Sequence, residues 1–115
     1  MSILKWFRPP NRPGLRYSDE AYAWASTHFP ESHQKIAAIA AGILCEQTGA
    51  SFSTLRASTH FIEDMGVYDF FDAIDYAGAI QHEFQLLIPE PELAKIRRIS
   101  DLVDYLYERV AKQPI

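Results

Sequence analysis

The 115-residue chain has one cysteine, and from residue 57 to residue 94 it has no lysine or arginine. Each scarcity excludes something. A lone Cys45 cannot form an internal disulfide, and without a CxxC neighbour it offers no paired thiols for redox or zinc chemistry. Its place in an apolar helical pattern reads as core. No apolar run approaches the roughly 18–20 residues that cross a bilayer. The first residues lack the apolar stretch and small-residue cleavage site of a secretory signal, so the expected location is cytoplasmic, with no transmembrane segment. After Gly66 the only serine is Ser100, which deprives the middle of the chain of that nucleophile.

What is present fits one folded domain. Hydrophobic residues make up 48% of the chain and charged residues 23%, the balance of a globular protein rather than a disordered one, and a chain of this length fills a single core. The net charge of −4 hides a segregation. Residues 1–16 carry Lys5, Arg8, Arg12 and Arg16 and no acid. Residues 57–94 carry Glu63, Asp64, Asp69, Asp72, Asp75, Glu83, Glu90 and Glu92 and no base. A negative face opposed by a positive arm argues against nucleic acid as partner of the main body and for a protein partner with a basic surface. An acidic face that is only solvated is the plainer alternative.

The elements follow from periodicity and caps. Pro9, Pro10, Pro13 and Gly14 interrupt any helix in the first segment. They leave an arm whose Ile3, Leu4, Trp6 and Phe7 either dock on the domain or contact something else. Ser18, with Asp19 and Glu20 behind it, predicts a cap and a short helix to about His28, broken at Pro30. Ile36, Ile39, Ala40, Ile43 and Leu44 share one helical face, predicting a helix from Glu31 or Ser32 to Gln47 that stops at Gly49. Residues 50–68 lack a period and read as a long loop pinned by Phe52, Leu55, Phe61, Ile62 and Met65. From Asp69, a cap, to Phe84, a stripe of Phe70, Ala73, Ile74, Ala77, Ile80 and Phe84 predicts the next helix. Extended chain then leads to a short helix at Glu92 to Ile96. Ser100 is the expected cap of a last helix, with Leu102, Val103, Leu106, Tyr107 and Val110 inward. The result is an all-α, small irregular bundle.

That order of elements is similar to the acyl carrier proteins, and short motifs agree with it. Phe61–Ile62–Glu63–Asp64–Met65–Gly66 resembles the Phe-x-Glu-Asp-Leu-Gly segment that leads into the family's prosthetic-group serine. Glu83–Phe84, then Ile88–Pro89–Glu90–Pro91–Glu92–Leu93–Ala94–Lys95–Ile96, resembles the family's Glu-Glu-Phe and Ile-Pro-Asp-to-Lys-Ile run, and Val103–Asp104–Tyr105–Leu106 its closing Asp-Tyr-Ile. The resemblance covers about residues 31–110. It implies an acyl-carrier-like bundle of four helices, with a long loop between the first and second, plus an N-terminal helical extension. The expected organisation is a basic, Pro-rich arm at 1–16, a short helical extension at 17–30 and the acyl-carrier-like domain at 31–112.

The departure falls at the family's functional centre. Members carry Asp-Ser-Leu at the start of the second helix, and the serine takes the phosphopantetheine arm. Here the stretch is one residue longer and Phe70 stands at the serine position, so no phosphopantetheine attachment and no other cofactor are expected. Tyr68 is the nearest hydroxyl, but a phenol differs in reach and acidity from that serine. The extra residue also resembles a set of small bacterial proteins with an acyl-carrier-like pattern and no attachment serine.

For catalysis, polar groups must converge, and His28, His33, His60 and His82 are scattered without acidic or cysteine ligands at metal spacing. They read as surface or boundary histidines. The expectation is no enzyme, no catalytic residue and no metal. In carriers the second helix and the loop before it present acids to basic patches on partner enzymes. The resemblance therefore assigns partner binding to Glu63, Asp64, Tyr68, Asp69, Asp72, Asp75 and Glu83, although Gln81 and His82 stand where further acids are usual. Phe70 is either an aromatic anchor or a filler of the cavity that carriers use for acyl chains. Two functions stay open: a carrier mimic that binds a carrier-recognising protein, and an inhibitor or immunity-type protein that turns the same acidic scaffold on a toxin or enzyme.

Overall fold

The computed structural model of the chain describes residues 14–65 and 74–111. A 3₁₀ turn at Leu15–Tyr17 leads into α1 (Asp19–His28) and α2 (Glu31–Thr48). A second 3₁₀ turn, Phe52–Thr54, lies in the long loop, followed by α3 (Ile74–Phe84), α4 (Glu90–Leu93) and α5 (Ile99–Ala111). This is the all-helical bundle with an N-terminal extension that the sequence predicts. The expected start of α3 at Asp69 lies outside the described residues, as do residues 1–13.

Local chemistry sets the boundaries. The Ser18 hydroxyl accepts from the Ala21 amide at 3.1 Å and donates to the Leu15 carbonyl at 2.8 Å, so one side chain caps α1 and ties it to the preceding turn. Pro30, which has no amide to satisfy, precedes Glu31 at the start of α2. Gly49 ends that helix in the left-handed region, φ 79°, with its amide on the Cys45 carbonyl. α3 ends with the Leu86 amide on the Gln81 carbonyl and the Gln85 amide on the His82 carbonyl, the Schellman pattern. Its left-handed position is filled by Gln85, φ 55°, rather than by glycine. The Gln81 side chain accepts from the Ile88 amide at 2.8 Å and so sets the path of the loop.

α2 is the hub. Every residue from Ala37 to Cys45 is buried, not only the predicted stripe, and Ile36 is half-buried. One side meets α3 and α5, and the other is covered by the first 3₁₀ turn and α1. Small residues allow this. Ala38, Gly42 and Glu46 follow one another at four-residue spacing, on one face of the helix. A Cβ at Gly42 would lie 2.2 Å from the Arg16 Cα and 2.6 Å from its amide nitrogen. α1 adds Ala21, Trp24 and Ala25 to the core. The Trp24 indole donates to the Leu55 carbonyl at 2.9 Å and stacks on His28, which bolts the extension to the long loop.

Several expectations are corrected. Ile62 is exposed rather than pinned inward, and Val110 is exposed too. Tyr107 is half-buried and stacks on His33 with ring centroids 4.1 Å apart. The short helix is Glu90–Leu93, because Pro89 and Pro91 suit the entry to a helix and Glu90 and Glu92 complement its amino-terminal dipole. Ser100 is not the cap of the last helix: it lies within the first turn, its amide on the Ala57 carbonyl. The Asp101 carboxylate does the capping, accepting the Arg97 and Arg98 amides at 3.1 and 3.0 Å. The first helical amides, those of Ile99 and Ser100, go to the Thr59 and Ala57 carbonyls of the long loop, so its backbone does what is expected of a Ser100 hydroxyl.

Candidate functional site

The expected partner-binding residues fall into three groups. Tyr68, Asp69 and Asp72 lie outside the described residues, as do the side chain of Asp75 and the whole of Phe70. Glu63 and Asp64 sit together on the turn that closes the long loop. Glu83 sits in the last turn of α3, in a different environment.

The 60–65 turn is organised by His60, which is buried rather than superficial. Its amide donates to the Asp64 carboxylate at 2.7 Å, and the Asp64 amide returns to the His60 carbonyl at 3.0 Å. The His60 Nδ1 accepts the Ile62 and Glu63 amides at 3.1 and 3.2 Å. A nitrogen that accepts amides carries no proton, so the network assigns the proton to Nε2, which stands 4.0 Å from Glu63. Behind it, His60 bridges to Arg98, and the Phe61 amide bonds the Arg97 carbonyl. Asp64 is thus partly a turn cap, while the Glu63 side chain is 74% exposed. No lysine or arginine among the described residues pairs with either.

Glu83 is held from the amino-terminal side. The Arg16 guanidinium donates through Nη2 and Nε to Glu46 at 2.6 and 3.2 Å and through Nη1 to Glu83 at 2.9 Å. The Arg16 amide also reaches Glu46, at 3.0 Å, and the Tyr17 hydroxyl bonds the second Glu83 oxygen. Such planar, charge-assisted forks are the strong class of hydrogen bond. Side-chain exposures of 25, 12 and 19% for Arg16, Glu46 and Glu83 leave this cluster partly dry. The Tyr17 hydroxyl first, and then the Arg16 guanidinium, hold the Glu83 carboxyl below its ordinary range although burial opposes them. The same hydrogen bond pushes the Tyr17 phenol up, and the bond to Glu46 does the same to Arg16. Glu83 therefore departs from the expectation of a carboxylate left free for a partner, because Arg16, the last residue of the expected arm, neutralises it.

Cys45 is buried. Tyr76 is buried with its hydroxyl on the Ala40 carbonyl at 2.8 Å, and desolvation pushes its phenol up. His28 bonds the Trp24 carbonyl at 2.9 Å, and His33 lies 3.7 Å from Asp104. Among the described residues no three His, Cys, Asp or Glu gather where a metal ion could be held, and no helix is long and apolar enough to cross a membrane. A shallow groove of about 340 Å³ between α4 and α5, lined by Glu92, Asp101, Asp104, Tyr105 and Glu108 beside Lys95, adds acids that the sequence reading did not single out.

No family model matches the chain. Over 67 residues it is 31% identical to an acyl carrier protein of Bdellovibrio bacteriovorus. The aligned stretch takes in 58% of this chain and 85% of that protein. With the helix order, the long loop and the acid-bearing α3 already in place, that coverage shows that the chain belongs to the acyl carrier protein family.

Proposed function

We propose that this is a non-catalytic acyl-carrier-like protein that carries no phosphopantetheine and binds a basic protein surface through the acids around its third helix. The observation that carries the reading is the pair Glu63 and Asp64: both are exposed, on a turn held rigid by His60, and no described lysine or arginine neutralises them. The sequence that follows carries Tyr68, Asp69, Asp72 and Asp75 and no base before residue 95. Exposed carboxylates of one sign repel one another and add little to folding, but they raise the rate at which a complementary surface is met. Phe70, aligned with the attachment serine of the family, supports the absence of the arm, since a phenyl ring has no nucleophile.

Intact-mass measurement after incubation with coenzyme A and a broad phosphopantetheinyl transferase is expected to show no added group. A mass gain equal to the arm would overturn that half of the proposal. For the other half, affinity capture with the full chain, at low and at high salt, is expected to recover a basic protein in a salt-sensitive way. Recovery of a basic toxin would favour the inhibitor or immunity-type reading over the carrier mimic.

A further inference from the structure

Arg16 does to Glu83 what a partner's basic side chain would do, and it does so from within the chain. We propose that Glu46 of α2 and Glu83 of α3 form a two-carboxylate subsite for an arginine-bearing peptide, and that the 14–18 segment is its built-in occupant, displaced when such a peptide binds. The inference rests on the reading of the acidic surface as a docking face, and it adds a second, gated subsite to that face.

Three observations carry it. First, Glu46 and Glu83 come from different helices, and a single guanidinium satisfies both, with Nε and Nη2 on one carboxylate and Nη1 on the other. This is recognition by a planar fork, which an ammonium cannot reproduce. Second, the floor beneath the segment is Gly42, where any Cβ would collide with the Arg16 backbone. The subsite thus accepts main chain as well as a side chain, with Leu15 buried and Tyr17 on Glu83 flanking the arginine. An apolar–Arg–aromatic peptide matches that shape. Third, the segment is separable from the rest of the extension. α1 has its own anchors in Ala21, Ala25 and the Trp24 bond to Leu55 and shares only Ser18, its cap, with the segment, whereas residues 14–17 are held by Leu15, by the main-chain contact with Gly42, by the turn hydrogen bonds and by this cluster, and Tyr17 is 56% exposed.

A tethered occupant acts as a competitor at an effective concentration on the order of millimolar. A weak cationic contact therefore fails to open the subsite, and only a peptide that also fills the Leu15 and Tyr17 positions does so. The gate favours a partner segment that presents all three side chains over diffuse positive charge.

The test uses isotope-labelled full-length protein and an acetylated Gly-Leu-Arg-Tyr-Ser peptide followed by NMR. In Arg16→Gln, which removes all three guanidinium hydrogen bonds, the peptide is expected to shift the Gly42, Glu46 and Glu83 resonances saturably and at least about tenfold more tightly than in the wild type, the factor that one charge-assisted hydrogen bond alone carries. The same peptide with glutamine for arginine should shift none of them, and adding Glu83→Gln should remove the gain. Equal affinity for wild type and variant, or no shift at Glu46 and Glu83 in a variant with a native-like spectrum, would overturn the proposal. If Arg16→Gln does not fold, Tyr17→Phe, which removes only the hydroxyl on Glu83, must show a smaller gain at the same resonances, and no gain there is equally fatal. Failure of the docking reading registers elsewhere, as loss of partner capture that depends on Glu63, and leaves the peptide result interpretable.

Discussion

The Cα of Arg16 lies 2.2 Å from where a Cβ on Gly42 would stand, so the extension and the hub helix meet main chain to main chain. Gly42→Ala must push the 14–18 segment off α2 or bend the helix. Overpacking of this kind costs typically 1–3 kcal/mol, and the upper half of that range is expected because the clash is with backbone. Gly78→Ala in α3 is the matched control: nothing lies within 4 Å of its Cβ, so it should add about 0.5–1 kcal/mol through helix propensity alone. Urea denaturation of both variants checks the pair, and two effects of the same sign would contradict the close approach.

Gln85 closes α3 in the left-handed region, φ 55°, a conformation that costs an L-residue roughly 1–2 kcal/mol. Its amide side chain bonds the His82 carbonyl at 2.8 Å, which recovers part of this. Gln85→Gly should therefore raise stability by about 0.5 kcal/mol, and Gln85→Val should lower it by more than that, because a β-branched residue fits the region worst. Thermal melts of the two variants would show no such ordering if the Schellman ending were not formed.

How much of this was legible in the sequence depends on the range of the interaction. The Ser18 cap, the end of α1 at His28 and the Gly49 stop are decided within a few residues, and the sequence predicts each of them. The second buried side of α2 is different, because Ala37, Ala38, Ala41 and Gly42 carry too little apolar surface to mark a stripe and become core only when another element covers them. Arg16 meets Glu46 across 30 residues and Glu83 across 67, so a count of acids without bases between residues 57 and 94 missed the base that comes from outside that window. His60 reads as a surface or boundary residue because its role, accepting two amides from its own turn, depends on a backbone path that no side-chain period encodes. The nearest sequence signal was Asp64 four residues on, a spacing suited to a turn cap.

The Arg16 cluster has a definite pH signature. Glu83 is held below its ordinary value by Tyr17 and Arg16, so its ionised form is favoured in the folded state. That contribution is fully present above the unfolded carboxylate pKa of about 4.3 and is lost as pH falls through the lower, folded value. The stability difference between wild type and Glu83→Gln should accordingly be constant from neutral pH to about 5 and shrink below about 4. Denaturant titrations at several pH values test it, and a difference that stays level down to pH 3 would contradict the hydrogen bonds described.

Glu63 offers the cleanest test of the acidic face, because its side chain is 74% exposed and only its 4.0 Å approach to His60 ties it to the turn, whereas Asp64 secures the 60–65 turn and its reversal would confound binding with folding. Glu63→Lys should leave stability within about 0.5 kcal/mol, the usual span for a surface change. It should nevertheless slow association with the captured basic partner, since one acid lost and one base gained moves the local charge by two units in the region that steers the encounter. The slowing should be greatest at low salt and fade as ionic strength approaches physiological, where exposed charges are screened beyond about 8 Å. Glu20, an exposed acid on α1 outside that region, supplies the control: Glu20→Lys makes the same change in net charge. If the two reversals slow association equally, net charge rather than the placement of Glu63 governs the encounter, and the turn built on His60 is a structural device without a docking role.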